Sequence, residues 1–291
     1  MHYLHLLTCP VCHSHFTEVG NTLKCDKGHT FDIAKEGYIN LLTKKLSDSV
    51  GDTKEMLLAR RNFLDRGYYQ PLSDTINKLI YDFLRTEEDS ENGLPYINIL
   101  DAGCGEGYYL GRLQHYLDQQ LPAAQCNSIG LDISKDAMRM AAKRYKDAHF
   151  VVANLKERLV FASDSLHILL NIFAPRNIDE FARVVTPGGI AIVVIPGPQH
   201  LRQLRSTLQL LNIEENKQQH VIDQFAPYFE LLTSSSLIYE VQLSNQGIMQ
   251  AVMMTPNYWH LSDEVKEAIG RMEGVRTEIE FTCLMFRKRK S

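Results

Sequence analysis

Apolar positions along the chain follow two periods. Between residues 54 and 83, Met56, Leu57, Ala59, Phe63, Leu64, Leu72, Ile76, Leu79, Ile80 and Phe83 recur at helical intervals, the mark of a helix with one buried face. Gly67-Tyr68-Tyr69-Gln70-Pro71 interrupts that series, so two helices are expected. From residue 97 onward short apolar runs take over, predicting strands over 97–101, 126–132, 149–153, 165–173 and 189–196. Helical stretches near 108–113, 135–145, 178–184 and 200–211 alternate with them, the rhythm of a parallel sheet with crossover helices. Beyond residue 218 the pattern changes to strands over 228–232 and 236–243, a helix over 246–253 and a last strand over 278–286, which suits an antiparallel closing edge. The fold class is α/β.

Two polar stretches divide the chain. Residues 43–53 carry Lys44, Lys45, Ser47, Asp48, Ser49, Gly51 and Asp52 with few apolar anchors, a linker composition. They predict a boundary between a small unit over 1–43 and a large one over 44–291. Residues 31–42 read as the end of the small unit, packing toward the large one. Residues 86–95 are an acidic loop rich in Ser, Asn and Gly.

The large unit is organised around Ile97-Asn98-Ile99-Leu100-Asp101-Ala102-Gly103-Cys104-Gly105-Glu106-Gly107. An apolar strand ends in a carboxylate, and glycines at alternate positions lead into a helix. Glycine supplies positive φ and lets backbone approach a ligand, while the helix start offers free N–H donors. A dinucleotide fingerprint needs a third glycine where Tyr108 stands, and a P-loop needs a Gly-Lys-Ser/Thr ending that is absent. The run resembles the first motif of class I S-adenosylmethionine-dependent methyltransferases. A second strand, Ser128-Ile129-Gly130-Leu131-Asp132, ends in an acid at the distance over which a βαβ unit reaches ribose hydroxyls. Asp132 is the ribose candidate, because Ser134 already fills the cap position of the next helix. Glu106, taken alone, reads as a first-turn carboxylate that favours the helix dipole.

The small unit carries Cys9-Pro10-Val11-Cys12 and, twelve residues on, Cys25-Asp26-Lys27-Gly28-His29. Each half turns two ligands toward one ion, and together they make the four of a closed tetrahedral structural zinc site. Pro10 and Gly28 supply the turn chemistry of such knuckles. His2, His5, His13 and His15 are surplus. A unit this short buries little core of its own, so the metal supplies much of its folding free energy, on the order of 10 kcal/mol.

Composition narrows the functional classes. The chain has 291 residues, 44% hydrophobic and 23% charged, with a net charge of −4, which is ordinary globular composition without the global positive field of a general nucleic-acid binder. Any RNA contact must come from local patches. Arg60, Arg61 and Arg66, and the terminal Arg287-Lys288-Arg289-Lys290, are candidates, although such charges are more often a solvated surface. No apolar run approaches a membrane span and no signal peptide is evident, so the expected location is cytoplasmic. Six cysteines in a chain of this size, three of them clustered near the N-terminus, point to metal rather than to a disulfide framework.

Several blocks together are more specific. The knuckles, Lys35-Glu36-Gly37-Tyr38-Ile39-Asn40-Leu41-Leu42, Gly51-Asp52, Ala59-Arg60-Arg61-Asn62-Phe63-Leu64, Tyr69-Gln70-Pro71-Leu72, the glycine motif and Pro196-Gly197-Pro198-Gln199-His200-Leu201 closely resemble the RlmA-type 23S ribosomal RNA guanine-N1 methyltransferases. The resemblance implies a Rossmann-like class I methyltransferase domain behind a small N-terminal zinc-binding domain that helps bind RNA. It also implies a homodimer acting on one guanine in a 23S rRNA hairpin. The family's cofactor contacts fall on Tyr69, Gly105, Glu106 and His200 here, beside Asp101, Gly103 and Asp132 of the nucleotide motifs. One departure is Asn171 in Asn171-Ile172-Phe173-Ala174-Pro175, where relatives carry a basic residue. Asn171 is no proton acceptor of any strength; it either holds a guanine edge or ends a strand. No general base is assigned. Phe173 or Tyr109 would serve as a platform for a base turned out of its stack, or belong to the core. The rival readings are a same-fold methyltransferase acting on tRNA or a small molecule, and a non-catalytic RNA-binding adaptor, which would need no intact region from Asp101 to Asp132.

Overall fold

The structure, a computed structural model, describes residues 3–44, 51–88, 96–211, 213 and 216–290. It starts with a 3-10 turn (Leu4–Leu6), an antiparallel ribbon of β1 (Phe16–Val19), β2 (Thr22–Cys25) and β3 (Thr30–Asp32), and a two-residue strand β4 (Ile39–Asn40). Helices α1 (Lys54–Asp65) and α2 (Gln70–Glu88) come next. The alternating part comprises β5 (Tyr96–Ala102), α3 (Tyr108–Gln120), β6 (Gln125–Asp132), α4 (Lys135–Arg144), β7 (His149–Val152), β8 (Leu166–Ile172), α5 (Ile178–Val184) and β9 (Val185–Pro196). The rest is α6 (Arg202–Leu208), α7 (Lys217–Phe225), β10 (Phe229–Ser244), α8 (Asn245–Met253), a 3-10 turn (Pro256–His260), α9 (Asp263–Gly270) and β11 (Gly274–Lys288).

Eight strands form one sheet in the order β10-β11-β9-β8-β5-β6-β7-β4. Strands β4 to β9 in it run parallel, and β11 and β10 close one edge antiparallel. Strand order reverses at β5, flanked by β6 and β8. Such a switch point opens a crevice at the carboxyl ends of the strands, and the glycine motif sits there. The helices obey local rules: Thr53 Oγ1 accepts from the Met56 N–H (3.2 Å) to cap α1, Gly67 turns the chain at φ +80°, and Pro71 stands in the first turn of α2, where its missing N–H is no loss. Among the described residues no helix is long and apolar enough to cross a membrane.

Several expectations are corrected. The segments 228–232 and 236–243 are one strand, β10, with a register shift between Leu231 and Thr233. Strand β11 runs from 274 to 288, so Arg287 and Lys288 belong to the sheet. Lys288 Nζ bonds Asp164 (2.6 Å) and the Val185 carbonyl (2.8 Å), and Arg287 lies over the Phe83 ring. The helix over 200–211 shortens to α6, because Leu201 and Gln209 take left-handed conformations at its ends. The strand expected over 189–196 begins earlier, at Val185, and takes in Pro187 and Gly188. Helices α7 and α9 were not anticipated. The linker's residues 45–50 and the loop's residues 89–95 lie outside the described residues.

The small unit is joined to the sheet. Strand β4 pairs parallel with β7, the Thr8 N–H donates to the Val160 carbonyl (2.8 Å), and the Ala162 N–H donates to the Leu6 carbonyl (2.9 Å). Tyr3, Leu6, Leu7, Leu23, Ile33 and Ile39 enter the same apolar cluster as Leu131, Val151, Phe161 and Phe225. At roughly 1.5–3 kcal/mol per buried large side chain, these contacts hold the ribbon against the sheet.

Candidate active site and metal centre

The glycine corner is built by close approach. Gly103, Gly105 and Gly107 have φ of +89°, +54° and +85°. A Cβ on Gly103 would stand 2.4 Å from the Ala174 Cβ, so the turn touches the loop after β8. The Gly103 and Cys104 N–H groups donate to the Leu131 carbonyl (2.8 and 3.0 Å), tying the corner to β6.

Three acids converge on it. Asp101 is 1% exposed, and neither carboxyl oxygen has a hydrogen-bond partner among the described residues. Burial, with the nearby Asp132 charge adding, pushes its pKa up to about 8. Asp132 is half-buried at the end of β6. Its Oδ2 accepts from the Gly105 N–H (3.0 Å) and its Oδ1 from the Ser134 N–H (2.9 Å). Burial raises its pKa, and those two donors oppose the rise. Ser134 Oγ accepts from the Ala137 N–H and caps α4, leaving Asp132 free of that duty. Glu106, 1% exposed, is engaged internally: Arg61 Nε donates to its Oε2 at 3.0 Å, and Arg144 stands 4.0 Å away. Burial still raises its pKa against those charges.

An aromatic wall closes the other side. The Tyr69 hydroxyl and His200 Nε2 are 2.9 Å apart, both residues buried, with Phe281 against both rings. Burial, reinforced by the Arg205 charge, lowers the His200 pKa to about 3, so the ring is neutral at pH 7. Its Nδ1 accepts from the Glu280 N–H in a long 3.4 Å contact. That assigns the ring proton to Nε2, which donates to the Tyr69 oxygen and leaves the Tyr69 O–H as a donor. Glu280 also holds the turn before His200, its carboxylate accepting from the Gln199 N–H (2.6 Å). Asn171 is fully buried, and its amide donates to the Ala102 (3.2 Å) and Pro175 (2.9 Å) carbonyls. It braces the loop after β8 against the end of β5. Phe173, next in that loop, has φ +54° and is 44% exposed. Strain of that kind in a non-glycine residue persists where surrounding structure holds it. Tyr109 is instead half-buried.

In the ribbon, the donor atoms of Cys9, Cys12, Cys25 and His29 all lie within 4.8 Å of one another. Individual separations are 3.6 Å (Cys9 Sγ to His29 Nδ1), 3.6 Å (Cys12 Sγ to Cys25 Sγ) and 3.3 Å (Cys25 Sγ to His29 Nδ1). A tetrahedron with bonds of roughly 2.0–2.3 Å to zinc has edges of roughly 3.3–3.8 Å, so the four donors fit a zinc ion. Backbone N–H groups of Val11 and His29 point at Cys9 Sγ and Cys25 Sγ, stabilising thiolate ligands. His5, His13 and His15 stand outside the group, and His2 lies outside the described residues.

Residues 7–47 match the family model described as RlmA, N-terminal, and residues 99–189 match the one described as methyltransferase domain. A 23S rRNA (guanine(748)-N(1))-methyltransferase of Streptomyces fradiae is 33% identical over 271 residues, covering 92% of this chain and 91% of that protein. The chain belongs to the RlmA-type methyltransferase family. A Micromonospora griseorubida member, named for guanine-N(1) methylation of 23S rRNA, is 36% identical with 87% of each chain covered. Among solved structures, a loganic acid methyltransferase superposes with a TM-score of 0.55 at 12% identity, covering 78% of this chain and 95% of that one. That likeness speaks for the class I fold alone. The family uses S-adenosylmethionine and carries a structural zinc.

The structure thus brings Tyr69, Asp101, Gly103, Gly105, Glu106, Asp132 and His200 to one end of the sheet and the four zinc-site residues to the ribbon. The sequence allows Arg60 and Arg61 to be a phosphate contact or a solvated face; in the structure both turn inward. Arg61 pairs with Glu106, and Arg60 bonds Asp52 (2.5 Å) and the Met254 carbonyl (3.0 Å). The available signal was their place beside buried Ala59, Phe63 and Leu64 on α1. Of the three arginines, Arg66 alone faces outward, onto Gln246.

Proposed function

We infer that this protein transfers the methyl group of S-adenosylmethionine to N1 of a guanine in a hairpin of 23S rRNA. One observation carries the reading: a four-ligand zinc ribbon is joined through β4 to a sheet whose switch point holds an intact glycine corner with Asp101 and Asp132. Gly103 and Gly105 let the cofactor approach backbone, Asp132 takes the ribose, Asp101 faces the cofactor's ammonium, and Tyr69 with His200 lines the methionine end. Glu106 supports the corner through Arg61. Cys9, Cys12, Cys25 and His29 hold the zinc.

Guanine N1 keeps its proton in the neutral base and has no free lone pair, so the site must align N1 with the methyl and let the proton leave. His200, buried and neutral with a pKa of about 3, is too weak a base for that step. Positioning therefore carries most of the burden, and alignment alone supplies up to roughly 7–11 kcal/mol. Phe173, exposed at the rim beside Phe281, suits stacking of an extruded base better than half-buried Tyr109. The zinc unit, residues 1–43, selects the RNA, the catalytic unit over 44–291 binds cofactor, and the protein works as a cytoplasmic homodimer. Incubation with labelled S-adenosylmethionine and either a 23S rRNA hairpin transcript or tRNA tests this. Label and a primer-extension stop at one hairpin guanine are expected; labelled tRNA with an unmodified hairpin would favour the tRNA reading instead.

A further inference from the structure

The glycine corner is lined by carboxylates. Asp101, Glu106 and Asp132 all border it, which welcomes the ammonium and sulfonium of S-adenosylmethionine and opposes the carboxylate on the same methionine end. A cation facing that carboxylate would offset the repulsion. Arg61 is committed to Glu106 at 3.0 Å, and Arg144 grips Asp65 with two bonds of 3.1 and 2.7 Å. Arg60 is placed differently. Its Nη1 lies 3.1 Å from where a Cβ on Gly105 would stand, so the guanidinium opens directly onto the motif's middle glycine. Its positive charge favours the ionised form of Asp132 and is felt by the Tyr69 and Tyr109 hydroxyls, so it is within electrostatic reach of both the ribose acid and the aromatic wall. Its present partner is itself a carboxylate, Asp52, on the residues that lead into α1, while Nη2 is fixed by the Met254 carbonyl. Gly51, at φ +89°, packs on Ile133 and Ser134 just past Asp132, so Asp52 is held over the same cleft.

We propose that Arg60 binds the α-carboxylate of S-adenosylmethionine and that the Asp52 carboxylate occupies the guanidinium until the cofactor replaces it. This rests on the cofactor reading above. The two groups are chemically alike: either carboxylate takes a charge-assisted hydrogen bond from Nη1, the nitrogen that now faces Asp52, while Nη2 stays on the Met254 carbonyl.

The test compares S-adenosylmethionine with its decarboxylated analogue by isothermal titration calorimetry on the full-length zinc-loaded protein. The wild type should favour the carboxylate-bearing ligand by roughly 10- to 100-fold, the range for one charge-assisted hydrogen-bond pair. In Arg60→Met that preference should fall to within about threefold, and in Arg60→Lys, which keeps the charge without the fork, it should be intermediate. Asp52→Asn should retain the preference, because a residue that only latched the 51–53 segment through Asp52 would lose its effect in either variant. Preference retained in Arg60→Met, or lost equally in Asp52→Asn, overturns the proposal. Equal binding of both ligands by the wild type also overturns it while leaving the cofactor reading intact. Failure of the wild type to bind either ligand removes both. Because the wild-type ratio needs no variant, misfolding of Arg60→Met would not protect the idea.

Discussion

Titrating S-adenosylmethionine into the protein in buffers of different ionisation enthalpy measures the protons released on binding, and Asp101 sets the number. Its buried carboxyl, with no hydrogen-bond partner among the described residues and with Asp132 nearby, has its pKa pushed up to about 8, so roughly nine-tenths of the cofactor-free protein carries that proton at pH 7. A cofactor ammonium placed against it favours the ionised form by roughly 1–3 pKa units. Binding at pH 7 should then release between about 0.4 and 0.9 proton from this group. Above about pH 9 the release vanishes, because Asp101 is already ionised, and Asp101→Asn should lack it at every pH. The same carboxyl acts on stability. Its folded pKa is raised above the unfolded value near 3.9, so its contribution is fully present below about pH 4 and is lost as pH rises through about 8. The ceiling is roughly 6 kcal/mol, and relaxation of the buried site leaves a fraction of it. Cofactor-free Asp101→Asn should therefore melt higher than wild type at pH 8 and bind cofactor more weakly. A binding enthalpy at pH 7 that is independent of buffer in both proteins would refute the reasoning.

Metal analysis should find close to one zinc per chain, and removing it with a chelator should lower the melting temperature; a metal-free protein with unchanged melting and activity would remove the ligand assignment. Asp132→Ala should weaken cofactor binding by roughly 1.5–3 kcal/mol, read by calorimetry with circular dichroism as the control, since the Gly105 and Ser134 N–H groups lose their acceptor. Gly103→Ala should destabilise the protein by on the order of 2–4 kcal/mol in denaturant titration, because its Cβ would meet Ala174 at 2.4 Å with φ at +89°; a loss below about 1 kcal/mol would mean the corner is looser than this packing implies.

What was legible in the chain depended on how local the signal was. The glycine corner and each half of the metal site are patterns within about ten residues of sequence, and the parallel core is implied by alternating periods. Joins between distant segments left no such trace. Strand β4 is two residues long and reads as a loop, yet its pairing with β7 draws the ribbon's apolar face onto the sheet. Strand β10 looked like two strands because Thr233, Ser234 and Ser235 interrupt its apolar series, whereas an antiparallel edge facing solvent tolerates polar residues on most positions. Arg60 and Arg61 resembled surface charges because their partners, Asp52 and Glu106, are recognisable only once α1 lies across the corner. The pair formed by Tyr69 and His200 spans 131 residues, so only the family resemblance brought His200 into view.

The joining of ribbon to sheet decides how RNA selection has to be tested. Cutting the chain near residue 43 would remove Leu6, Leu7, Ile33 and Ile39, uncover Val151 and Phe161, and strip β7 of its outer neighbour β4. Loss of methylation after such a cut would reflect a damaged sheet as readily as weaker RNA binding. Charge reversal on the ribbon's exposed face avoids that confusion. Lys24 and Lys27 are exposed and flank the knuckle ligand Cys25 within two residues, so Lys24→Glu with Lys27→Glu should fold, bind zinc and keep cofactor affinity. If the zinc unit selects the RNA, hairpin affinity should fall, and its dependence on log salt should flatten by about 0.7–0.9 for each phosphate that the ribbon no longer neutralises. Unchanged hairpin affinity and an unchanged salt slope would move RNA selection off this face of the ribbon and onto the catalytic unit.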